Sequence, residues 1–591
     1  MTPAGSPEQR MGGGRRRRLA RFRVLALAAL AALVVAAPSG AGDPEPEAPI
    51  EAPRVNLPLL ARQPAQGEPP QGEQQSGEPA PALESDQPGE PPAYELRVQE
   101  CVERALQNNL DIALRRLTPE FAAAQVTLEE SVFDSAFHFN TYTNQQSDPA
   151  SSTLAGAEIL TDRTRFVETS FDDRLRSGGT YKLLLRNLRT ETNSAFQPTT
   201  PFFNSEWQLQ FVQPLLKNFG PRANKTRLVV ARNNHQISQS DFRQAVLDTL
   251  AAVEKAYWDL AFRILDLDVK KQSLQLAEDL LRLNRTKVQV GTLAPIEITQ
   301  AEAGVADREE AVIVAQNEIR KAEDQLKRLL GPPSDPLWGY TLKPVDESPF
   351  DELQPNLDQS LALALANRPD LEKSRLTLAN REAQYRFAVN QRRLDLSFDG
   401  SYGAKGGTQF RCEDASGQSI PVFLASDCLV AGGTPISSQT NVQDSLKQAR
   451  DRDADSWRLG LTLNVPVGNR DAASRYIAAR VAREQAGIDY KILEQTATIE
   501  VRQAVRQIET DVKRVKAARV NSRLQKEKLD AEQKKFENGI STSFNVLTFQ
   551  EDLAQARSRE AQALTDYNKS RVELERVLGT LPQARSITLE P

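Results

Sequence analysis

The 591-residue chain has three cysteines, two histidines and, beyond its first forty residues, no unbroken run of 18 apolar residues. Cysteines as scattered as Cys101, Cys412 and Cys428 make neither a disulfide framework nor a zinc site. His138 and His235 have no partner at catalytic or metal-ligand spacing, and no phosphate-cradling glycine loop follows a strand. Neither an enzyme, a metal site nor a cofactor is therefore expected. Without long apolar runs, and with 26% of residues charged, the chain is not a bundle of transmembrane helices.

What is present begins with a secretory pattern: Arg15 to Arg18, Arg21 and Arg23, then apolar Val24 to Ala37, then small residues to Gly42. The apolar run is shorter than the roughly 20 residues of a membrane anchor, and no cysteine follows it to carry a lipid. Removing residues 1–42 as a signal peptide takes seven arginines and one glutamate, which moves the net charge from -5 to -11. So acidic a product is a poor nucleic-acid binder. Residues 43–93, rich in Pro, Glu, Gln, Gly and Ala, read as a disordered leader. Cys412 and Cys428 flank a Gly/Ser-rich insert and are expected to pair in an oxidising compartment, leaving Cys101 as a buried thiol.

From Tyr94 onward the chain repeats itself. Ala105-Leu106-Gln107-Asn108-Asn109-Leu110-Asp111-Ile112 returns as Ala364-Leu365-Ala366-Asn367-Arg368-Pro369-Asp370-Leu371, offset by 259, and the offset holds to Phe139 and Phe398. Two tandem copies, 94–345 and 346–591, are the expected units. Each opens with a helix, 98–130 or 357–391, and then changes period. Phe137 and Phe139, Trp207 to Phe211, Leu394 to Tyr402 and Trp457 to Val465 alternate apolar with polar residues, as one-sided strands do. A hairpin, Arg165 to Leu175 and Thr180 to Arg189, occurs only in the first copy. Strands of about ten residues with aromatic ends and polar loops favour a transmembrane barrel over a soluble sheet. Six strands cannot surround an open lumen, whereas three chains supply eighteen. The short turn at Ser177-Gly178-Gly179 is expected on the periplasmic side, with loops 145–164, 191–205 and 405–455 outside.

Residues 222–290 and 470–538 then read as helices of about 100 Å. Val246, Leu250, Val253, Tyr257, Leu260, Ile264 and Leu267 recur at alternating steps of four and three, as do Val501, Val505, Ile508, Val512 and Val515. Seams so narrow belong to helices touching neighbours along their flanks. Each ends at a breaker, Val290-Gly291-Thr292-Leu293-Ala294-Pro295 or Asn538-Gly539-Ile540-Ser541-Thr542-Ser543, and runs back to a closing Gly331 or Gly579. The short opening helix and the short returning helix, stacked end to end, match one long helix in length, with Pro332 to Asn356 and the chain ends as a belt at their junction.

The Ala-Leu-x-Asn signature, the duplication, the Pro/Gly turns from strand to helix and the two glycine tips together resemble the TolC family of outer-membrane efflux proteins, over residues 94–591. The resemblance implies an α+β membrane protein: a trimeric outer-membrane β-barrel continued by a long periplasmic α-helical barrel. The implied partners are two further copies, outer-membrane lipid, a periplasmic adaptor (membrane fusion) protein and an inner-membrane transporter of the RND, ABC or MFS type. It assigns adaptor docking to Gly291, Thr292, Leu293, Gly539, Ile540 and Ser541. Some members narrow the entrance with acids six and nine positions after the second glycine. Here those positions hold Asn545 and Thr548, so the candidates for a constriction are these two with Glu297 and Glu551. A periplasmic coiled-coil tether without a conduit is the rival reading; it explains the heptads but not the alternating strands.

Overall fold

The computed structural model describes residues 92–152, 155–195, 200–420, 425–438 and 441–587. The expected signal peptide, 1–42, and all but the last two residues of the expected leader, 43–93, lie outside the described residues. The chain enters as β1 (Ala93–Leu96), α1 (Val98–Asn108) and α2 (Leu110–Ser131). Four strands follow, β2 (Ala136–Pro149), β3 (Ile159–Arg174), β4 (Thr180–Thr192) and β5 (Phe202–Pro214). A single turn, α3 (Pro221–Asn224), leads into α4 (Thr226–Gln289), and α5 (Ile296–Leu330) runs back to β6 (Thr341–Pro344). Next come α6 (Leu357–Asn367), α7 (Pro369–Gln391) and β7 (Asp395–Gly407). An insert follows, made of β8 (Gln409–Glu413), β9 (Ser419–Ile420), α8 (Ala425–Val430), β10 (Thr434–Ser438) and α9 (Val442–Asp451). The chain closes with β11 (Ala454–Asn464), α10 (Arg470–Glu537), α11 (Ser543–Leu578) and α12 (Leu581–Ala584).

Several expected elements are broken or shifted. The helix expected at 98–130 is split at Asn109, whose side chain accepts from the N–H groups of Asp111 and Ile112 and so starts a new helix. Its counterpart, 357–391, is split at Arg368, which precedes Pro369 and is held extended. The helix expected at 222–290 breaks at Lys225, after Asn224 has turned its side chain onto the carbonyls of Asn218 and Gly220. Strands β2 and β3 run well into the expected loop 145–164, because their ladder stays paired to Pro149 and Ile159. The returning helices, expected over 292–330 and 540–578, begin at Ile296 and Ser543, since each tip is a turn of several residues.

Six strands form one antiparallel sheet in the order β11-β7-β5-β4-β3-β2, so β11 and β2 are its two edges. The register puts Phe137, Phe171, Leu183, Leu209, Tyr402 and Trp457 on one face. That face is exposed where no helix covers it: Trp457 is 71% and Leu461 69% accessible. The opposite face is more polar, although Tyr142, Phe166, Leu184 and Leu188 lie on it too. Across β3, β4, β5 and β7 it carries the row Glu168, Arg186, Glu206 and Lys405, with ion-pair distances of 2.9, 3.7 and 3.6 Å. The insert expected as a loop at 405–455 is instead folded. Cys412 and Cys428 are bonded within it, and α9 lies back over the apolar face of β5 and β7. There Ser445 meets Ser205 at 2.5 Å, and the Trp207 indole donates to the Ala449 carbonyl at 2.7 Å. The bond closes a loop with a sequence separation of 16, which is worth about 3 kcal/mol on chain-entropy grounds. Reduction is therefore expected to make residues 409–451 trypsin-sensitive while the six-stranded sheet stays resistant, read by mass spectrometry of the fragments.

Near the sheet the helices lie side by side in the order α2, α4, α7, α10, and farther away in the order α5, α4, α11, α10. The heptad seams are what they bury: Val246, Leu250, Val253, Tyr257 and Leu260 on α4, and Val501, Val505, Ile508, Val512 and Val515 on α10. Where the short helices meet end to end, β1 pairs in parallel with β6 and packs with Leu337 and Leu342 onto Tyr257. The Asp346 carboxylate fixes this belt, accepting from the Tyr257 hydroxyl at 2.9 Å and from the first helical N–H of α1, Val98, at 2.7 Å. Burial pushes the Tyr257 phenol far above its ordinary pKa, so it stays a donor. In the second copy Gly579 ends α11 at φ +72°, and a Cβ there would lie 2.9 Å from the Asn367 carbonyl, beside the Arg368 break. Gly579→Val is therefore expected to cost about 2 kcal/mol or more, from left-handed strain and that clash, seen as a lowered Tm.

Candidate functional site

Both long hairpins turn through the same backbone device. After α4, the Gly291 N–H donates to the Val288 carbonyl at 3.0 Å and the Thr292 N–H to the Lys287 carbonyl at 2.9 Å. After α10, the Gly539 and Ile540 N–H groups donate to Phe536 and Lys535 at 3.2 and 2.9 Å. This pair of reversed bonds requires a left-handed residue at the turn, and the glycines supply it with φ of +76° and +73°. Added Cβ atoms at either glycine would meet nothing within 4 Å. The tips are thus free surface.

The second tip is laced to itself. The Ser541 hydroxyl donates to Glu532 at 2.6 Å, Asn545 donates to Ser541 at 3.3 Å, and Thr542 caps α11. Hydrogen bonds from Ser541 and Lys535 hold the Glu532 carboxyl below the usual carboxylate range. In the first tip Thr292 bonds its hydroxyl to the Lys287 carbonyl at 3.0 Å, and Leu293 is half-buried. Apolar side chains surround these polar turns: Ile540 is 77% and Phe544 64% accessible, with Val290 and Ile296 also exposed. The alternation of the long helices gave no sign of this exposed cluster.

The two hairpins are joined just behind the tips. Buried Asn284 donates to the Ser543 hydroxyl at 2.8 Å and to the Glu297 carbonyl at 3.2 Å. Lys287 donates to the Phe536 carbonyl at 3.1 Å and lies 4.1 Å from that ring's centre. Arg308 reaches from α5 to the Leu547 carbonyl on α11 at 3.1 Å. Of the four constriction candidates, Glu297 sits in this seam, with one carboxylate oxygen buried and unbonded. Asn545 belongs to the second tip, Thr548 bonds back to the Phe544 carbonyl, and exposed Glu551 lines a groove with Arg308 and Asp266. They therefore do not form one cluster within a single chain. Among the described residues no group of His, Cys, Asp and Glu could hold a metal.

A one-sided antiparallel sheet continued by two long, tip-exposed helical hairpins defines an outer-membrane channel fold. Its solved representatives include the CmeC outer membrane channel of Campylobacter jejuni, at 16% identity and a TM-score of 0.57, covering 82% of this chain and 86% of that one. VceC of Vibrio cholerae matches at 15% and 0.55, covering 82% and 96%, and the open MtrE channel of Neisseria gonorrhoeae at 15% and 0.53, covering 82% and 89%. None of the curated proteins matches the chain in sequence. The family described as outer membrane efflux protein matches at residues 202–332 and 361–580, and the chain belongs to that family. Its members are transport channels, not enzymes. Among the described residues no helix is long and apolar enough to cross a membrane.

Proposed function

We propose that this chain is one subunit of a homotrimeric outer-membrane channel that passively conducts substrates to the exterior from a periplasmic adaptor and an inner-membrane transporter. The observation that carries the reading is a sheet with one exposed apolar face, one charged polar face and two unpaired edges. The apolar face suits lipid and the polar face a wet lumen. Pairing β2 of one copy with β11 of the next closes three such sheets into a barrel of eighteen strands. The two tandem copies, 94–345 and 346–591, then give each subunit two hairpins in the helical tube. Gly291, Thr292, Leu293, Gly539, Ile540 and Ser541 are the adaptor contacts at its far end, and Glu297, Asn545, Thr548 and Glu551 narrow the entrance there.

A structural tether would have the same heptads but no use for an exposed apolar sheet face. Single-channel recording in a planar bilayer separates the two: discrete conductance steps are expected from the purified protein. Insertion as a trimer that never opens, at any voltage or salt, would leave the tether and remove the conduit.

A further inference from the structure

The largely apolar face of the sheet carries arginine at the end away from the helices. Arg165 and Arg189 stand directly opposite each other in the β3–β4 register, and the same row holds Thr143 and Phe203. One row farther out, Arg163 lies between Gln145 and Glu191. Alternation puts Arg165 on the side of Val167 and Phe171, and Arg189 on the side of Leu185 and Leu183, so these guanidinium groups share the face proposed to meet lipid. Three arginines and one glutamate face outward there. Like charges directly opposite each other destabilise a sheet.

Among the described residues little compensates. Glu191 takes one Arg189 nitrogen, but the Arg189 Nε is a buried donor without a partner, and the guanidinium lies 5.8 Å from the Phe203 ring centre. Arg163 donates to Gln145 at 2.9 Å, a neutral acceptor. Arg165 is exposed and makes no ion pair among the described residues. Along β4, Arg189 lies eight residues beyond Tyr181, about 26 Å of strand at about 3.3 Å per residue. Allowing for strand tilt, that is near the outer edge of an apolar band about 25 Å tall. Helix α9 covers the same face over β5 and β7 and leaves β3 and β4 open.

We propose that Arg163, Arg165 and Arg189 form a site for the phosphate-bearing headgroup of a lipid in the outward leaflet. The proposal rests on the barrel reading above. A phosphate between Arg165 and Arg189 offsets their repulsion and fits the forked geometry of guanidinium. The apolar stems of the arginines lie along the apolar band while their heads reach the headgroup layer.

The test uses the full-length protein, first shown to float with phosphatidylcholine vesicles. In detergent it is then titrated with diphosphoryl lipid A, its dephosphorylated form or phosphatidylglycerol, and bound lipid is counted by native mass spectrometry. Wild type is expected to retain the phosphorylated lipids and not the dephosphorylated one. Arg165→Gln with Arg189→Gln should weaken that retention by about tenfold or more, whereas Arg165→Lys with Arg189→Lys, which keeps the charge without the fork, should weaken it less. Unchanged retention by the glutamine variant, equal binding of dephosphorylated lipid, or displacement by millimolar inorganic phosphate overturns the site. Wild-type protein that does not float overturns the barrel reading as well; flotation with unchanged retention by the glutamine variant overturns the site alone.

Discussion

Aspartate at both Gly291 and Gly539 is expected to abolish export while leaving an assembled channel in the membrane. Neither glycine has a neighbour within 4 Å of where a Cβ would sit, so the substitution meets no clash. The left-handed conformation costs a non-glycine residue roughly 1–2 kcal/mol, and aspartate is among the residues that bear it best. Each hairpin has some 64 to 68 residues of helix between tip and sheet, a length of about 100 Å, so the strain stays local. The damage falls on the surface. A carboxylate on each turn adds six negative charges to the far end of a trimer, beside Ile540, Phe544, Val290 and Ile296, where a docking partner would have to desolvate them. Substrate retained in cells should rise to the level seen without the channel, while trimer mobility on mild-detergent gels and bilayer conductance stay as in wild type. Normal export from a correctly assembled double variant would remove the docking role.

The tips were legible in the sequence because a single residue type decides them. A reversed-bond helix end needs a left-handed residue, and glycine inside a long helical pattern announces it. The strands were legible for a similar reason, since a face of Trp457, Leu459, Leu461 and Leu463 alternates in the sequence itself. What the sequence concealed depends on partners distant along the chain. Asn109 and Arg368 sat inside the repeated signature that pointed to a helix, yet they are where the helix stops. Asn109 reaches the Leu329 carbonyl and Arg368 reaches Glu500, so the signature marks the join between stacked helices. Nothing local in Ser445 or Ala449 says that α9 folds back over the sheet. The tip seam is hidden likewise, because Asn284 and Ser543 are 259 positions apart.

Glutamate at Leu114 and Phe121 together is expected to leave the single chain folded and to prevent the trimer. Helix α2 packs chiefly on α4, and its other side carries Leu110, Leu114, Leu117, Phe121 and Leu128, followed by Val132 at its C-cap, all exposed in one copy, with Leu114 66% and Phe121 67% accessible. Their spacing follows a heptad. At the opposite end of the same helical layer α10 exposes Ile477, Val481, Ile488, Ile492 and Ile499, also in steps of four and seven. One stripe lies on the side of edge strand β2, which follows α2, and the other on the side of edge strand β11, which precedes α10. In the proposed trimer a ring of copies would bury both stripes and pair both strands in one operation, a heterologous contact that closes. Burying a large apolar side chain contributes about 1.5–3 kcal/mol, so two carboxylates in the α2 stripe remove about 3–6 kcal/mol at each of three interfaces. Light scattering on the purified variant should give the mass of one chain, with helical content unchanged by circular dichroism. A variant that still runs as a trimer would place this stripe outside the subunit interface and leave strand pairing alone to close the ring.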